Sequence, residues 1–430
     1  MTVNLPSDNG PVTDDDPAPP GPGGTAALMA RLAAPEGRAL LASLPRYDEG
    51  QVIALSARLR AEGVDPALVS AALTQSRLRA RARDRLGPLA DTLLLTTDGL
   101  EQATRTAVAE RHAQRFVEAG VQHVWDLGSG LGLDALALAR AGLAVTAVER
   151  DETVAVAAAA NLAPYPRARV VQADATTVEV PPGDGAWLDP ARRRPGVADA
   201  RGRTRRLFRL SELTPSWEHV RAVGRTARAT GAKLSPGFSA ADLPTGAEAE
   251  WVSVDGEVVE CVVWWGGAVR RPGVSAVVGA GGSWVTVRPA AAPPEPLTAQ
   301  DQVGPWLAEP DRAVLAAGLA PSCAEAVGGR ELDADVGYVS APAPVALPWV
   351  RWFAVDEVLP LHAKVVRAWL RERGIARVTL KKRGVPTDPD RFRADLRLRG
   401  GRGAAEATLV LTRVAGTPSA IVVRPAAPGR

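Results

Sequence analysis

The pattern of apolar residues changes after Gly120, and this change constrains the fold more than any other feature of the chain. From there, short apolar runs alternate with stretches of helical periodicity. Alternating strands and helices require right-handed crossovers, which give a parallel sheet with helices on both faces. The runs are 121–127, 135–141, 143–148, 154–162, 169–173 and 185–188. We therefore predict an α/β fold for the middle of the chain.

The flanking regions have different patterns. Residues 1–25 are acidic and rich in Pro and Gly, which predicts a disordered tail, and leucine-rich helical spacing follows as far as Gly120. Further strands are predicted at 232–234, 251–254 and 258–265. The last two are joined by Asp255-Gly256, a hairpin signal, so we expect the sheet to end in this antiparallel pair. Beyond it we predict a hairpin around 279–282. We then predict a small α/β domain with a strand at 350–355, a helix at 361–373, a strand at 377–381, a helix at 389–396 and a hairpin over 408–423.

Composition excludes several classes of protein. The net charge is +3 over 430 residues, so any nucleic-acid-binding surface must be local. Cys261 and Cys323 lie in apolar surroundings and predict buried thiols rather than a disulfide. With four scattered histidines we expect no metal site. The N-terminus does not resemble a signal peptide, and no apolar run reaches membrane-spanning length, so we expect no membrane partner and a cytoplasmic location.

A glycine-rich turn follows the first predicted strand of the α/β region. Asp126 ends that strand, and Gly128, Ser129, Gly130 and Gly132 follow before a helix begins. Such a turn lets the backbone approach a ligand closely. A P-loop is excluded because the turn has no lysine, and in a nicotinamide site the first glycine directly follows the strand. An acid in that place suits a ligand with an ammonium and a sulfonium group, and so favours S-adenosylmethionine as cofactor.

Acidic residues also follow the next two strands. Glu149 ends the second strand, where its carboxylate is placed to accept hydrogen bonds from ribose hydroxyls. Asp174 follows the third strand, at the place expected to lie beside an adenine amino group. As an ordered series at successive strand ends, these acids favour a cofactor site over solvated loops.

The stretch over about 98–267 resembles a Rossmann-like class I methyltransferase core. Four runs narrow the resemblance to bacterial methyltransferases that carry a THUMP-like domain at the C-terminus. These runs are 97–104, the glycine turn continued into Leu133-Asp134, 188–193 and 248–253. The sequence departs from the family at Ser129, where a cysteine is expected. The implied organisation is a disordered tail (1–25), a helical N-terminal module (26–97), the core (98–267), a connecting segment with a hairpin (268–342) and a THUMP-like domain (343–430).

The resemblance places methyl transfer after the fourth strand, at Asp189-Pro190. Enzymes that methylate amines have Asn/Asp-Pro-Pro-aromatic there, and the side chain and a proline carbonyl accept hydrogen bonds from the exocyclic amine. Asp189 and Pro190 fit, whereas Ala191 and Arg192 do not, so the stacking aromatic is missing from its usual place. Trp187 and Trp217 are candidates to replace it. Methyl transfer relies on alignment, and we assign no general base.

Arginines supply the local positive charge. Arg192, Arg193 and Arg194 open an arginine-rich loop directly after this site and are candidate phosphate-binding residues. A second set repeats along a predicted helix at 77, 81 and 85, with 79 and 83 on a neighbouring face, and a third is Lys381-Lys382-Arg383. Together with the resemblance, they predict methylation of a structured RNA, with tRNA ahead of rRNA. The alternatives are methylation of a small anionic metabolite or a protein, and a non-catalytic RNA-binding protein. The sequence does not indicate an oligomeric state.

Overall fold

The computed structural model describes residues 22–190, 193–198, 204–206, 210–398 and 404–426. The chain forms two compact units. The first comprises residues up to Val117 together with 122–179, and the second comprises 118–121 and the chain from Val180 onward. Within the described residues, no helix is long and apolar enough to cross a membrane, and no cluster of side chains suits a metal ion. Both cysteines are buried and unpaired, as predicted.

Helices dominate the first unit. They are α1 (Pro22–Ala33), α2 (Pro35–Ser43), α3 (Val52–Ala61), α4 (Pro66–Leu86), α5 (Thr97–Gln102), α6 (Thr106–Glu118), α7 (Leu133–Arg140) and α8 (Glu152–Leu162). The longest, α4, begins where Asp65 accepts a hydrogen bond from the backbone N–H of Leu68 at 3.0 Å, and it ends at Gly87, whose φ is 59°. Its buried side chains recur at three- and four-residue spacing from Leu68 to Leu86, which gives one apolar face.

Three parallel strands complete this unit in the order β1 (His123–Leu127), β2 (Ala144–Glu149) and β3 (Ala168–Gln172). In β2, residues 145–148 are all buried, as expected for a strand covered on both faces. The carboxyl ends of these parallel strands lie at one edge, and the turns that follow them carry the predicted cofactor residues.

The second unit contains a sheet in the order β4, β7, β9, β8, β10, β11. Its strands are β4 (Gly185–Leu188), β7 (Ala229–Leu234), β8 (Glu248–Val254), β9 (Glu257–Gly266), β10 (Gly273–Ala280) and β11 (Ser283–Val287), with α9 (Trp217–Thr226) packed against β7 and β9. β5 (Arg193–Ala198) and β6 (Thr204–Arg206) form a separate antiparallel pair.

The predicted hairpin at Asp255-Gly256 joins β8 to β9, and both turn residues have positive φ, 49° and 81°. The prediction that the sheet ends in this pair is wrong. β10 pairs in parallel with β8, and β11 follows it through the hairpin predicted around 279–282. The apolar run of β10 does not indicate which strand of the sheet it pairs with.

A seven-stranded sheet in the order β13, β14, β12, β15, β18, β17, β16 forms the rest of the second unit. Its strands are β12 (Trp306–Pro310), β13 (Arg330–Glu331), β14 (Val339–Ala341), β15 (Val350–Pro360), β16 (Ile375–Lys382), β17 (Ala405–Val414) and β18 (Thr417–Pro425). The helix α10 (Arg312–Ala316) packs against β8, β9 and β10 of the other sheet, whereas α11 (Ala320–Val327), α12 (Ala363–Glu372) and α13 (Pro389–Leu396) pack against this one. α12 and α13 cover one face through a core that includes Val366, Leu370 and Phe392.

Candidate cofactor and acceptor sites

The glycine turn between β1 and α7 adopts a conformation that only glycine takes up easily. Gly128, Gly130 and Gly132 have φ of 86°, 54° and 75°. The backbone N–H groups of Gly128 and Ser129 both donate to the carbonyl of Val148, at 2.9 and 3.0 Å, which fastens the turn to β2. A Cβ added at Gly130 would meet no atom within 4 Å, so the turn faces open space at this residue.

Glu149 binds the turn from the end of β2. Its Oε2 accepts a hydrogen bond from the N–H of Gly130 at 2.9 Å, and its Oε1 accepts one from the N–H of Asp151 at 2.9 Å. These bonds hold the carboxylate beside the glycines while leaving lone pairs on both oxygens. Asp126, the last residue but one of β1, is only 1% exposed. The structure thus brings Glu149 and the glycine turn together.

Asp174 has a local structural role in addition to its predicted one. Its Oδ1 accepts hydrogen bonds from the backbone N–H and the hydroxyl of Thr176, at 2.8 and 2.7 Å, and so caps a short 3₁₀ turn after β3. The side chain is exposed at the same edge as the glycine turn and Glu149.

Asn161 of α8 supports the turn from behind. Its Nδ2 donates to the carbonyls of Leu131 and Leu94, both at 3.0 Å, and its Oδ1 accepts from the N–H of Leu94 at 2.8 Å. The neighbouring Leu95 is held by Gln75 of α4 through a second reciprocal pair, at 2.9 and 2.7 Å. Buried polar groups therefore connect the helical module to the glycine turn.

A second buried network joins two of the runs on which the family resemblance was based. The hydroxyl of Thr104 donates to Oδ2 of Asp134 at 2.7 Å, and Nδ1 of His112 lies 2.8 Å from Oδ1 of the same carboxylate. A Cβ added at Gly99 would lie 2.7 Å from the side chain of Leu131. The segment 97–104 thus packs directly against the glycine turn and the start of α7.

Asp189 follows β4 in the second unit and forms an ion pair with Lys233 of β7. The parallel register pairs Leu188 with Ala232, which places the next residue of each strand side by side. The side chain of Lys233 is 4% exposed and that of Asp189 is 24% exposed. Sequence reasoning missed Lys233, although a lysine inside an apolar strand is uncommon enough to have signalled it.

Comparisons with known proteins identify the family. An "uncharacterized S-adenosylmethionine-dependent methyltransferase" of Mycobacterium tuberculosis, found in strains CDC 1551 and H37Rv, is 31% identical over 372 residues. The match covers 82% of this chain and 95% of that protein. The chain belongs to the S-adenosylmethionine-dependent methyltransferases.

Family and fold comparisons add the domain content of this methyltransferase. Residues 350–425 match the family described as THUMP domain-like, and residues 25–82 match a domain of unknown function (DUF8688). A crystal structure from Porphyromonas gingivalis W83, described as a methyltransferase, has a TM-score of 0.62 at 21% identity and covers 89% of this chain and all of that one. The predicted Rossmann-like methyltransferase fold with a C-terminal THUMP-like domain is confirmed.

The glycine turn of this methyltransferase fits S-adenosylmethionine, its cofactor. The backbone is open at Gly130, and Ser129 Oγ is buried with no hydrogen-bond partner among the described residues. Glu149 presents a carboxylate beside the turn, as recognition of ribose hydroxyls requires. The expected cysteine at position 129 is therefore replaced by a residue that can donate or accept a hydrogen bond.

The structure limits the choice of a stacking aromatic in the methyltransferase. Trp187 is 1% exposed and packs on Trp264, with ring centroids 5.7 Å apart, so it belongs to the core and cannot stack on a substrate. Trp217 is half-buried and packs against Phe238 and Trp265, with centroids 5.7 and 5.8 Å away. Trp217 is therefore the one of the two predicted candidates that retains an accessible surface.

The predicted basic groups differ in what they contact. Arg192 lies outside the described residues, and the structure describes only the backbone of Arg193 and Arg194, in β5. In the C-terminal domain, Lys381 and Arg383 both contact the carboxylate of Glu309, at 2.5 and 3.6 Å. Glu309 carries one negative charge, so it offsets one of the three positive charges of this third basic group.

The arginines of α4 are likewise divided by face. Arg83 forms a bidentate ion pair with Asp91, and Arg85 donates to the carbonyl of Leu100 at 2.7 Å. Arg77 and Arg81 are exposed. Part of this second group therefore anchors the chain that follows α4.

Proposed function

We propose that this methyltransferase modifies a structured RNA, with a tRNA base as the favoured target. The THUMP-like match over 350–425 is the observation that carries the proposal, because THUMP modules position tRNA for modification. Arg192, Arg193 and Arg194 support it as candidate phosphate contacts, since guanidinium groups bind phosphate through two parallel hydrogen bonds.

Asp189 and Pro190 are the residues that we propose hold the acceptor. S-adenosylmethionine supplies the electrophilic methyl group, and the chain must direct the lone pair of an exocyclic amine toward it. Lys233 contacts Oδ2 of Asp189, which fixes the plane of the carboxylate and leaves Oδ1 to accept a hydrogen bond from the amine. Alignment of this kind accounts for much of the rate of an in-line displacement.

Asp126, Gly128, Ser129, Gly130, Gly132, Glu149 and Asp174 are the residues that we propose bind the cofactor. The backbone of the turn faces the amino-acid portion, Glu149 accepts hydrogen bonds from the ribose hydroxyls, and Asp174 lies toward the adenine. The hydrogen bond from Gly130 to Glu149 supports this division because it fixes the carboxylate against the turn.

Mass spectrometry of modified nucleosides tests the substrate. Total RNA from a deletion strain should lack one methylated nucleoside, and wild-type protein should restore it whereas Asp189→Ala should not. An unchanged nucleoside profile would exclude RNA as the substrate and favour a small anionic metabolite or a protein.

Lys233→Met tests the positioning role of the ion pair. The substitution keeps the length of the side chain and removes its charge, so kcat should fall while the Kd for S-adenosylmethionine stays the same. Equal losses in kcat and in cofactor affinity would indicate general unfolding instead. Arg221→Met, on the partly exposed surface of α9, is the matched control.

Direct binding of tRNA tests the proposed substrate independently of methyl transfer. Filter binding of tRNA at rising salt should show a steep loss of affinity for the wild type, and the loss should be shallower when Arg192, Arg193 and Arg194 become alanine. Single-turnover assays with the same RNA and radiolabelled cofactor then separate binding from methyl transfer.

A further inference from the structure

A cleft of about 510 Å³ opens on the helical N-terminal module, within the first unit. It is lined by α2, by the middle of α4 and by the chain around Asp91, and it lies largely within the match to the domain of unknown function. It contains none of the residues that we assign to the cofactor or the acceptor, so the proposed reaction leaves it without a role.

Positive charge dominates this cleft. Among the described residues that line it are four arginines, Arg38, Arg46, Arg79 and Arg83, and a single acid, Asp91. Arg83 pairs with that acid through bonds of 2.8 and 2.9 Å. Among the described residues of the lining, the positive charges of the other three guanidinium groups are therefore not balanced by any acid.

Two of these guanidinium groups are held in place by neutral acceptors. Arg38 donates to the carbonyls of Ala160 and Thr92, at 2.6 and 3.3 Å, and Arg79 donates to the carbonyl of Leu93 at 2.9 Å. Carbonyl groups orient a guanidinium without cancelling its charge. Burial lowers the pKa of Arg79 from its usual value, and the nearby Arg38 cation lowers it further. An anion bound between them would relieve this repulsion.

Aromatic and hydroxyl groups complete the lining. Tyr47 is half-buried, with Arg46 exposed next to it in the chain, and Ser76 and Thr92 also line the cleft. An aromatic ring beside clustered arginines suits a ligand that has both a phosphate and a planar base, because bases stack on aromatic side chains while guanidinium groups bind phosphate.

We propose that this cleft binds a nucleotide of the RNA substrate, with its phosphate on Arg38, Arg46 and Arg79 and its base on Tyr47. The inference rests on the proposed RNA substrate and gives the helical module a role in binding it. A single acidic residue, already paired with Arg83, leaves no comparable site for a cationic ligand.

The test uses Arg46 and Tyr47, two lining residues for which the structure shows no side-chain hydrogen bonds among the described residues. Affinity for unfractionated tRNA is measured by filter binding between about 50 and about 200 mM salt. Arg46→Ala should reduce the slope of log K against log salt by about 1, since it removes one phosphate contact. Tyr47→Ala should weaken binding about tenfold with the slope unchanged, as loss of a stacked base does.

Arg60→Ala is the matched control, because Arg60 is an exposed arginine of the same module outside the cleft. Equal effects of Arg46→Ala and Arg60→Ala would overturn the inference, since a diffuse charge effect would then explain them. If Tyr47→Ala binds tRNA with wild-type affinity, the proposed stacking of a base on Tyr47 is refuted. If the wild type itself does not bind tRNA, the proposed tRNA substrate fails. Normal binding by the wild type together with unaffected variants refutes the cleft alone.

Discussion

The glycine turn should depend on Asn161 for both its stability and its shape. Replacing Asn161 with leucine keeps a similar volume but removes all three hydrogen bonds, to the carbonyls of Leu131 and Leu94 and from the N–H of Leu94. The site is closed to water, since Asn161 is 5% exposed and Leu94 is 0% exposed. Each lost hydrogen bond costs about 1 kcal/mol net, and more where a buried partner stays unsatisfied. We therefore expect the free energy of unfolding to fall by about 3 kcal/mol.

This loss should appear in the unfolding of the first unit. For a unit of this size, each kcal/mol lost from the free energy of unfolding lowers the midpoint of thermal unfolding by about 2–4 °C. Calorimetry should therefore show a fall of about 10 °C in the unfolding transition of this unit. Because the carbonyl of Leu131 belongs to the turn, the Kd for S-adenosylmethionine should rise as well. Asn161→Asp retains the acceptor for Leu94 but loses both donors, and it should be at least as damaging at neutral pH.

Two results would refute this reasoning. A stability for Asn161→Leu within 1 kcal/mol of the wild type would mean that packing, and not hydrogen bonding, holds the segment. A large stability loss with unchanged cofactor affinity would mean that the turn keeps its shape without Asn161. Titration calorimetry at a temperature well below the unfolding transition separates the two effects.

Three further predictions concern separate parts of the chain. Gly130→Arg should abolish cofactor binding in calorimetric titration, because φ of 54° is unfavourable for arginine and its side chain would fill the open face of the turn; retained binding would place the cofactor elsewhere. Burial raises the pKa of Glu331, so its ionisation destabilises the fold as pH rises. In thermal melts, Glu331→Gln should therefore stabilise the protein at pH 7 but not near pH 4. A variant stabilised near pH 4 but not at pH 7 would contradict a raised pKa for Glu331. Burial raises the pKa of Cys261 well above its usual value and that of Cys323 to about 12, so neither thiol should react with a disulfide reagent until the protein is denatured; rapid labelling of the native protein would contradict their burial.

Local pattern was sufficient to predict many of the elements. The helix predicted at 389–396 has those bounds in α13, and the strand predicted at 185–188 is β4. Asp255-Gly256 forms the predicted hairpin because its two positive φ angles suit that residue pair. The glycine turn was equally readable, since its conformation depends on the residue types within it. The family resemblance, which rested on four short runs including the glycine turn, is also confirmed.

Long-range pairing could not be predicted in the same way. β10 joins β8 instead of leaving that strand at the edge of the sheet, and β12 to β14, within the predicted connecting segment, belong to the seven-stranded sheet. An apolar strand carries the same alternation whichever neighbour it pairs with, so its sequence does not specify the partner.

The sequence by itself determined the glycine turn and the family, because both depend on residues that are close together in the chain. Tertiary structure alone decided which charges are available for binding. Parallel pairing of β4 with β7 brings Lys233 into an ion pair with Asp189. Glu309 likewise forms ion pairs with Lys381 and Arg383 of the third basic group. A cation that appears available in the sequence is neutralised or retained according to the partner that the fold brings to it, and those partners lie tens of residues away in the chain.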